Sequence, residues 1–569
     1  MTQYRAFALD YDGTLTEGRR PAANVLHAVA AARERGQRVV LVTGRILSEL
    51  RADFPDVDDA VDAVVAENGA VLSVDGADRP LSLPVDPALY DRLAVRGVDV
   101  RRGQVLLAMH ADDDVRVLRE VASLGLDAQL VRNRDALMVL PGGVTKATGL
   151  RVALETLHRS PHNTIAVGDA DNDHALLDAC AVGVAVANAV ESLKRHADLV
   201  LPERDGAGVA RLLHDAASYE QAVVRPRRWE VPVGNADDGT RVTVPGGGAN
   251  VLITGASGSG KSFLAGTLVE GLVLRGYSVL VMDAEGDHVA LGRLAGTAAV
   301  GGEGLPGPAH LVGLLQSRQG SVVLDASLLA EEARERYLRK LALRVEAQRA
   351  QTGIPHWVVA DEAHLLPWDA RGDPSPGLGT CAITYQPQLL REEIVRGLDL
   401  VLAMPGGGVG SGDAIDFLTR VSGAPADEVA AHLGPGGRAV AVAPGTPRLV
   451  PFDVAPRSTE HVRHWRKYTD GELPAPAWFD FRADTHGPVW ATAANLAEFC
   501  SRLRSCPAEV LGYHARRQDL SRWLAEAIQD HRVAGLVRAI EQDLDSTAPA
   551  QAEQARAGIL RALEDRYLR

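Results

Sequence analysis

Lysine is almost missing from this chain: among 60 basic residues only Lys146, Lys194, Lys261, Lys340 and Lys467 are lysines. Arginine serves wherever any cation would do, so a retained lysine marks a place that asks for a compact ammonium. Cysteine is as sparse. Cys180, Cys381, Cys500 and Cys506 lie scattered, without metal-ligand spacing, which argues against a disulfide framework and fits a reducing cytoplasm. No uninterrupted apolar run reaches about 18 residues, so no membrane-spanning helix is expected. The segment after Met1 lacks the charged-then-apolar pattern of a secretory leader. Repeats and long low-complexity tracts are absent too. The net charge of −14 argues against a broad nucleic-acid coat but leaves room for a local basic channel.

What is present is ordinary globular material. With 569 residues, 46% hydrophobic and 24% charged, the chain can bury several cores and is long enough for about four folding units. Residues 1–215 alternate β-branched runs (6–9, 39–42, 164–167) with Ala/Leu/Arg-rich helical stretches, the pattern of a parallel α/β sheet. A polar connection over 219–248 follows. A second βαβ pattern then starts at Val251, with strands expected at 251–254, 279–282, 321–324, 357–360 and 381–384. The last 113 or so residues are richer in Trp, Phe and Tyr and close with helical segments at 519–528 and 550–568.

Asp10-Tyr11-Asp12-Gly13-Thr14 puts two carboxylates just beyond a buried strand, at the edge where open α/β sheets bind ligands. Alone, the pair reads equally well as a turn. Three further pieces follow in order: Thr43-Gly44-Arg45 after the next strand, Lys146 in Gly143-Val144-Thr145-Lys146-Ala147, and Gly168-Asp169-Ala170-Asp171-Asn172-Asp173 after a third. Together these resemble the haloacid dehalogenase-like phosphatases over about residues 4–215. Glu67-Asn68-Gly69-Ala70 and Val186-Ala187-Asn188-Ala189 resemble the subgroup with a cap inserted between the second and third motifs, here about 83–140. The resemblance implies a Rossmann-like phosphatase with an α/β cap, Asp10 as nucleophile and Asp12 as general acid and base. Thr43 and Lys146 would hold the phosphoryl oxygens. Asp10, the backbone carbonyl of Asp12, and Asp169 would bind Mg²⁺, supported by Asn172 and Asp173. Asp171 reads as a solvated loop carboxylate. Arg101, Arg102, Arg132 and Arg134 in the cap are candidate contacts for an anionic or sugar substrate, although each is also at home as a surface arginine.

Gly255-Ala256-Ser257-Gly258-Ser259-Gly260-Lys261-Ser262 is a complete phosphate loop between an expected strand and an expected helix (263–274). Its backbone amides cradle phosphates, Lys261 reaches the β/γ oxygens and Ser262 holds Mg²⁺, so ATP is the expected ligand. About a hundred residues on, Trp357-Val358-Val359-Ala360-Asp361-Glu362-Ala363-His364 ends a strand in Asp-Glu. Asp361 would hold Mg²⁺ through water and Glu362 would activate the attacking water. Asp-Glu-Ala-His also occurs in superfamily 2 helicases, but their Q-x-x-G-R-x-G-R motif is absent downstream. With Asp283, Asp325 and Ile383-Thr384-Tyr385-Gln386-Pro387, the order resembles the HerA/FtsK-like motor ATPases over about 230–455. That resemblance implies a RecA-like domain, Gln386 as γ-phosphate sensor, and a homo-oligomer such as a hexameric ring with an arginine supplied in trans. Arg391 and Arg396 are the candidates for that arginine. One departure is that the phosphatase and a short strand-rich lead-in stand where the family carries a small β-barrel.

The expected organisation is therefore an α/β multidomain chain: phosphatase (1–215), P-loop ATPase (216–456) and a mostly α-helical C-terminal unit (457–569). The expected function is a cytoplasmic Mg²⁺-dependent phosphomonoester hydrolase joined to an ATP-hydrolysing motor-type ATPase, with action on nucleic acid, on polypeptide or on no polymer left open. An end-healing polynucleotide kinase-phosphatase and a nucleotide-gated assembly scaffold are the alternatives. His461, His464, His486 and His514 lack a carboxylate or cysteine set at ligand spacing. The stretch Tyr513-His514-Ala515-Arg516-Arg517-Gln518-Asp519 reads either as a partner contact or as a cap.

Overall fold

The computed structural model describes residues 4–18, 20–215, 224–301, 304–316, 320–365, 379–406, 411–459, 475–485, 487–528, 530–544 and 549–567. Residues 1–284 with 288–461 form one compact unit, and residues 462–569 with 285–287 form another.

The first unit is built on two large sheets. One has eight strands, in the order Leu199–Val200, Val182–Ala185, Thr164–Gly168, Ala6–Asp10, Arg38–Val42, Ala63–Ala66, Val71–Val74 and Ala77–Pro80. The first six run parallel and the last two pair antiparallel. Its central strands are apolar and buried along their whole length, as a sheet covered on both faces requires. The register sets Leu9 beside Val167 and Asp10 beside Val42. Asp10, Thr43 and Asp169 thus leave three adjacent strands at the same edge. A separate four-stranded antiparallel sheet (Arg101–Arg102, Leu107–His110, Ala136–Pro141, Ala128–Asn133) with helices Pro87–Val95 and Asp114–Leu124 forms the cap. The cap has its own core around Leu89, Leu93, Val117, Leu137 and Val139.

The second sheet has eleven strands. Its centre runs Leu400–Met404, Asn250–Gly255, Thr380–Thr384, Trp357–Ala360, Val279–Asp283, Ser321–Asp325 and Thr297–Gly301, all parallel. The strand-rich lead-in, Glu230–Ala236 and Arg241–Pro245, is a hairpin that extends this sheet through Val450–Val454. Helix Lys261–Leu274 is apolar on nearly every side because it lies between the sheet and that hairpin, with Leu264, Leu268, Val269 and Leu272 buried.

The two sheets of this unit meet at the amino-terminal ends of their strands. His162, just ahead of Thr164–Gly168, stacks on Tyr277, just ahead of Val279–Asp283, with ring centroids 3.9 Å apart. Trp229 meets His162 edge-on at 4.6 Å and donates from Nε1 to the Cys180 carbonyl at 3.0 Å. Arg228 forks onto Asp198 at 2.5 and 2.7 Å. Burial pushes the His162 imidazole down to about 4 and holds His356, 5.4 Å from it, well below the usual histidine range. Both rings are thus held neutral as part of an apolar joint.

The second unit packs the hairpin Phe479–Arg482/Val489–Ala493 against helices Leu496–Ser505, Ala508–Arg516, Asp519–Glu526, His531–Gln542 and Pro549–Tyr567. Phe499 stacks on Trp523 at 4.5 Å at its centre. His514 is buried: its Nδ1 bonds Asp519 at 2.9 Å and its Nε2 accepts the Arg482 amide at 2.9 Å. It serves as a structural histidine of this core. His461, His464 and His486 lie outside the described residues. All four cysteines are free and buried. No helix among the described residues is long and apolar enough to cross a membrane.

The neutral histidines give the joint between the two sheets a defined acid sensitivity. Unfolded His162 takes up a proton near pH 6.5, whereas the folded ring resists until about 4. Stability from this group is complete above pH 6.5 and falls as the pH drops towards 4, by about 3 kcal/mol at the limit. The thermal midpoint should fall over that window, and His162→Phe should flatten the fall. An identical pH profile for the variant would exclude His162 as its source.

Candidate active sites

The edge of the eight-stranded sheet gathers the residues that the motifs single out. Lys146, the first residue of helix Lys146–Thr156, donates to Asp10 Oδ1 and to Asp173 Oδ1, each at 2.6 Å. Thr145 caps that helix through the Thr148 amide. The helix reaches this depth because Gly149 packs on the turn at Gly69: a Cβ at Gly149 would lie 2.6 Å from the Gly69 backbone. Asp173 Oδ2 accepts the Asp169 and Ala170 amides, both at 3.0 Å, which shapes the loop presenting Asp169. Asn188 donates to the Gly13 carbonyl at 2.7 Å and ties down the Asp10–Thr14 loop. Thr43 is fully buried at the head of its strand. Asn172 donates to Asn68 at 3.2 Å, and Asp171 is exposed and accepts from Ser192. The solvated reading of Asp171 holds.

Electrostatics here are those of crowded acids in a dry place. Burial, then the Asp173 charge, raises the Asp10 carboxyl well above the usual range, with Lys146 pulling against them. Burial and Asp173 likewise raise Asp169, opposed by Arg134. Burial alone would push the Lys146 ammonium down, but the carboxylates of Asp10 and Asp173 overturn that and hold it above its ordinary value. One ammonium does not balance three buried carboxylates. Asp10, Asp169 and Asp173 each offer an oxygen within 4.8 Å of the others. An all-oxygen, over-negative set fits a hard divalent cation such as Mg²⁺.

Around this centre the cap closes with ionic contacts. Arg45 holds Asp12 through two nitrogens, at 2.5 and 2.8 Å, and Asp53 at 2.6 Å. The Asp12 side chain therefore sits on Arg45, away from the acidic trio. Buried Glu67 accepts the amides of Gln104, Val105 and Leu106 and fastens the cap to the core. Among the cap arginines, Arg132 pairs with Asp114, Arg102 lies over Tyr90, and Arg101 bonds Glu49 at 2.8 Å. Arg134 departs from the surface reading: it donates to Asp169 inside the site. Sequence reasoning quoted Glu67 and Asn188 without a role and did not separate Arg134 from its neighbours.

In the eleven-stranded sheet the order puts Thr380–Thr384 between the phosphate-loop strand Asn250–Gly255 and Trp357–Ala360. Gln386 is thereby placed between Lys261 and the Asp361–Glu362 pair at one sheet edge. Gly255, Gly258 and Gly260 take φ of 142°, 80° and 97°, which lets the loop turn its amides inward before helix Lys261–Leu274. Ser259 donates its amide to Ala256 within the loop, Lys261 Nζ donates to the Ala256 carbonyl at 2.9 Å, and Ser262 follows on the first turn. Asp361 is buried, and Glu362 takes a left-handed φ of 47°. His364 lies 3.3 Å from the Glu362 carboxylate and 2.9 Å from the Thr384 hydroxyl, which also accepts the Gln386 amide. His364 thus links Glu362 to the Gln386 strand, a role the sequence did not show. Arg396 is exposed and faces Glu392 on its own helix at 3.6 Å, and Arg391 caps that helix.

Both halves of the chain match known protein families. The haloacid dehalogenase-like hydrolase family matches residues 7–84 and 124–213, and the helicase HerA central-domain family matches 248–345. Asp361, Glu362 and Gln386 lie beyond the second match but on the same sheet. A phosphoglycolate phosphatase of Archaeoglobus fulgidus is 33% identical over 220 residues, covering 37% of this chain and 97% of its own length. One of Methanothermobacter thermautotrophicus is 32% identical over 216 residues, covering 36% and 96%. The solved structure of a haloacid dehalogenase-like hydrolase from Bacteroides thetaiotaomicron is 20% identical, covers 37% of this chain and 99% of its own, and has a TM-score of 0.33. Through its first sheet and cap this chain belongs to the haloacid dehalogenase-like hydrolases, and behind that phosphatase it carries a HerA-type ATPase domain.

Proposed function

We propose that the chain is a two-headed hydrolase: a Mg²⁺-dependent phosphomonoesterase and an ATP-hydrolysing motor-type ATPase. The observation that carries the first half is the buried Asp10–Lys146–Asp173 cluster with Asp169 beside it. Asp10, Asp169 and Asp173 are the residues that would hold Mg²⁺. Bound there, the cation supplies the screening that lets an anionic nucleophile approach an anionic ester. An Asp10 oxygen attacks phosphorus while the ester P–O bond breaks, and Asp12, leaving its Arg45 pair, gives the departing alkoxide a proton. Water then attacks the aspartyl-phosphate, Asp12 takes its proton, and Asp10 is regenerated with release of phosphate. Lys146 and Thr43 steady the phosphoryl oxygens. The relatives named phosphoglycolate phosphatase suggest a small phosphorylated carboxylic acid as substrate.

For the second half, the loop amides and Lys261 take the β- and γ-phosphates of ATP, and Ser262 and Asp361 are the residues that would hold its Mg²⁺. Glu362, steadied by His364, orients water, and Gln386 contacts the γ-phosphate. We place this domain in a homo-oligomeric ring in which Arg391 or Arg396 of one copy completes the site of the next. Nucleic acid is the polymer to test first, in the cytoplasm.

Asp10→Asn should lower phosphatase turnover by at least about 10³-fold with ATPase activity retained, because the nucleophile is lost and the phosphate loop is untouched. Glu362→Gln should keep ATP affinity and slow hydrolysis by about 10²–10⁴-fold. Phosphate release and nucleotide binding, measured on both variants, check the assignment. Phosphatase activity surviving in Asp10→Asn, or ATP binding lost in Glu362→Gln, would overturn the respective half.

Assembly has its own signature. A trans arginine can contribute about 10³-fold or more in rate, so ATPase activity per subunit should climb with protein concentration. Arg391→Ala or Arg396→Ala should impair turnover and leave ATP affinity intact. Stimulation by DNA or RNA should fade with added salt. Sedimentation with ATP and Mg²⁺ reads the assembly directly; a monomer with a concentration-independent rate contradicts the ring.

A further inference from the structure

Between cap and core lies a cleft of about 450 Å³, bordered by Asp12, Arg45, Glu49, Arg101, Arg134 and Met138. It opens beside the proton donor Asp12, which places the leaving group of a phosphoester in it. Three guanidinium groups border this space, and two keep a core carboxylate, Asp53 or Glu49, that the chemistry leaves in place. Arg45 is held by Asp12 and Asp53, and Arg101 by Glu49.

Arg134 is different in kind. It occupies the turn between Ala128–Asn133 and Ala136–Pro141, with φ of 52°, so the hairpin projects it from the cap tip into the site. Its guanidinium donates to Asp169 and lies against Gly13, where any side chain would collide with it. Its partner is one of the three carboxylates that fit a divalent cation. When Asp169 turns to a cation, Arg134 is left as a charged fork over the cleft, still 59% exposed in its side chain and able to swing. A planar fork of this kind pairs with a carboxylate through two parallel hydrogen bonds.

We propose that Arg134 is the specificity residue of the phosphatase: it pairs with an anionic group on the leaving-group side of the ester and selects phosphorylated acids over esters of neutral alcohols. This rests on the phosphatase reading above. The phosphoryl group itself has Lys146 and Thr43 on the core, so the charge carried by the cap falls to the part of the substrate that faces the cap.

The test compares 2-phosphoglycolate with 2-hydroxyethyl phosphate, which has the same shape but lacks the carboxylate. Arg134→Asn keeps the left-handed turn, since asparagine tolerates positive φ, and Arg134→Lys keeps the charge without the fork. The ratio of kcat/KM for the acid over the neutral ester should fall by about 10–100-fold in Arg134→Asn, the range for a hydrogen bond to a charged group, with Arg134→Lys between it and wild type. Calorimetry on Asp10→Asn protein with Mg²⁺ should show the same preference in Kd, lost when Arg134→Asn is added. An unchanged ratio in both measurements, with Asp10→Asn inactive, overturns this assignment and leaves the phosphatase standing. Wild-type protein inactive on both esters overturns the two together.

Discussion

The phosphatase site depends on one buried ion cluster. Lys146 is 1% exposed and lies 2.6 Å from both Asp10 and Asp173. An isolated ammonium at that depth would lose its proton, and isolated carboxylates would take one up. Each tolerates burial because the other is there, and the set is still short of positive charge. That shortage is the useful part. It leaves room in the charge balance for an added cation, while the bond from Lys146 holds the Asp10 carboxylate oriented. Several details of the fold serve this arrangement: the register of three parallel strands, the Thr145 cap, and the close approach of Gly149 to Gly69 that lets the helix enter.

The ATPase site solves a related problem with different means. Phosphate charge is met by backbone amides and a helix amino terminus, so few side-chain cations are needed. Lys261 folds back on its own loop, and the acidic pair stands two strands away, across the strand that leads to Gln386. Here the strand order does what buried ion pairs do in the other domain. It fixes the spacing between the phosphate loop, Gln386 and the Asp361–Glu362 pair.

These two strategies explain what the sequence made legible. Asp10, Asp12, Thr43, Lys146 and Asp169 stand in short motifs tied to strand ends, and the phosphate loop is local by nature, so their placement at the sheet edges was legible from the motifs and the resemblance they carry. The same is true of the strands themselves, whose apolar runs follow from burial on both faces. Arg134 was not distinguishable from Arg101, Arg102 and Arg132, because what separates them is where a hairpin tip lands, 35 residues away in sequence from Asp169. Glu67, Asn188 and His364 were visible as letters only. Each acts by filling the hydrogen-bonding needs of a distant loop, and such needs have no periodicity. For His514 the sequence left a contact and a cap both open, and the structure engages both its ring nitrogens inside the core. The lead-in hairpin was expected as strands, but its pairing with Val450–Val454 is a contact over two hundred residues, beyond any local pattern.

The joint between the sheets constrains how the two chemistries can relate. His162, Cys180 and Asp198 precede strands of the phosphatase sheet; Tyr277, His356 and Trp229 precede strands of the ATPase sheet. Both candidate sites lie at the opposite, carboxyl ends of the parallel strands of each sheet. The two sheets therefore present their candidate sites away from the joint that holds them together. Influence between the sites that passes through the joint has to travel along the strands that lead to it. The shortest covalent stretches available are Thr164–Gly168, which runs from His162 to Asp169, and Val279–Asp283, which runs from Tyr277 towards the Asp361 strand. Both are fully buried, regular strands with little freedom to bend. Such close-packed elements pass on a displacement of the whole sheet better than a local rearrangement, so the joint ties the two sheets together as rigid pieces.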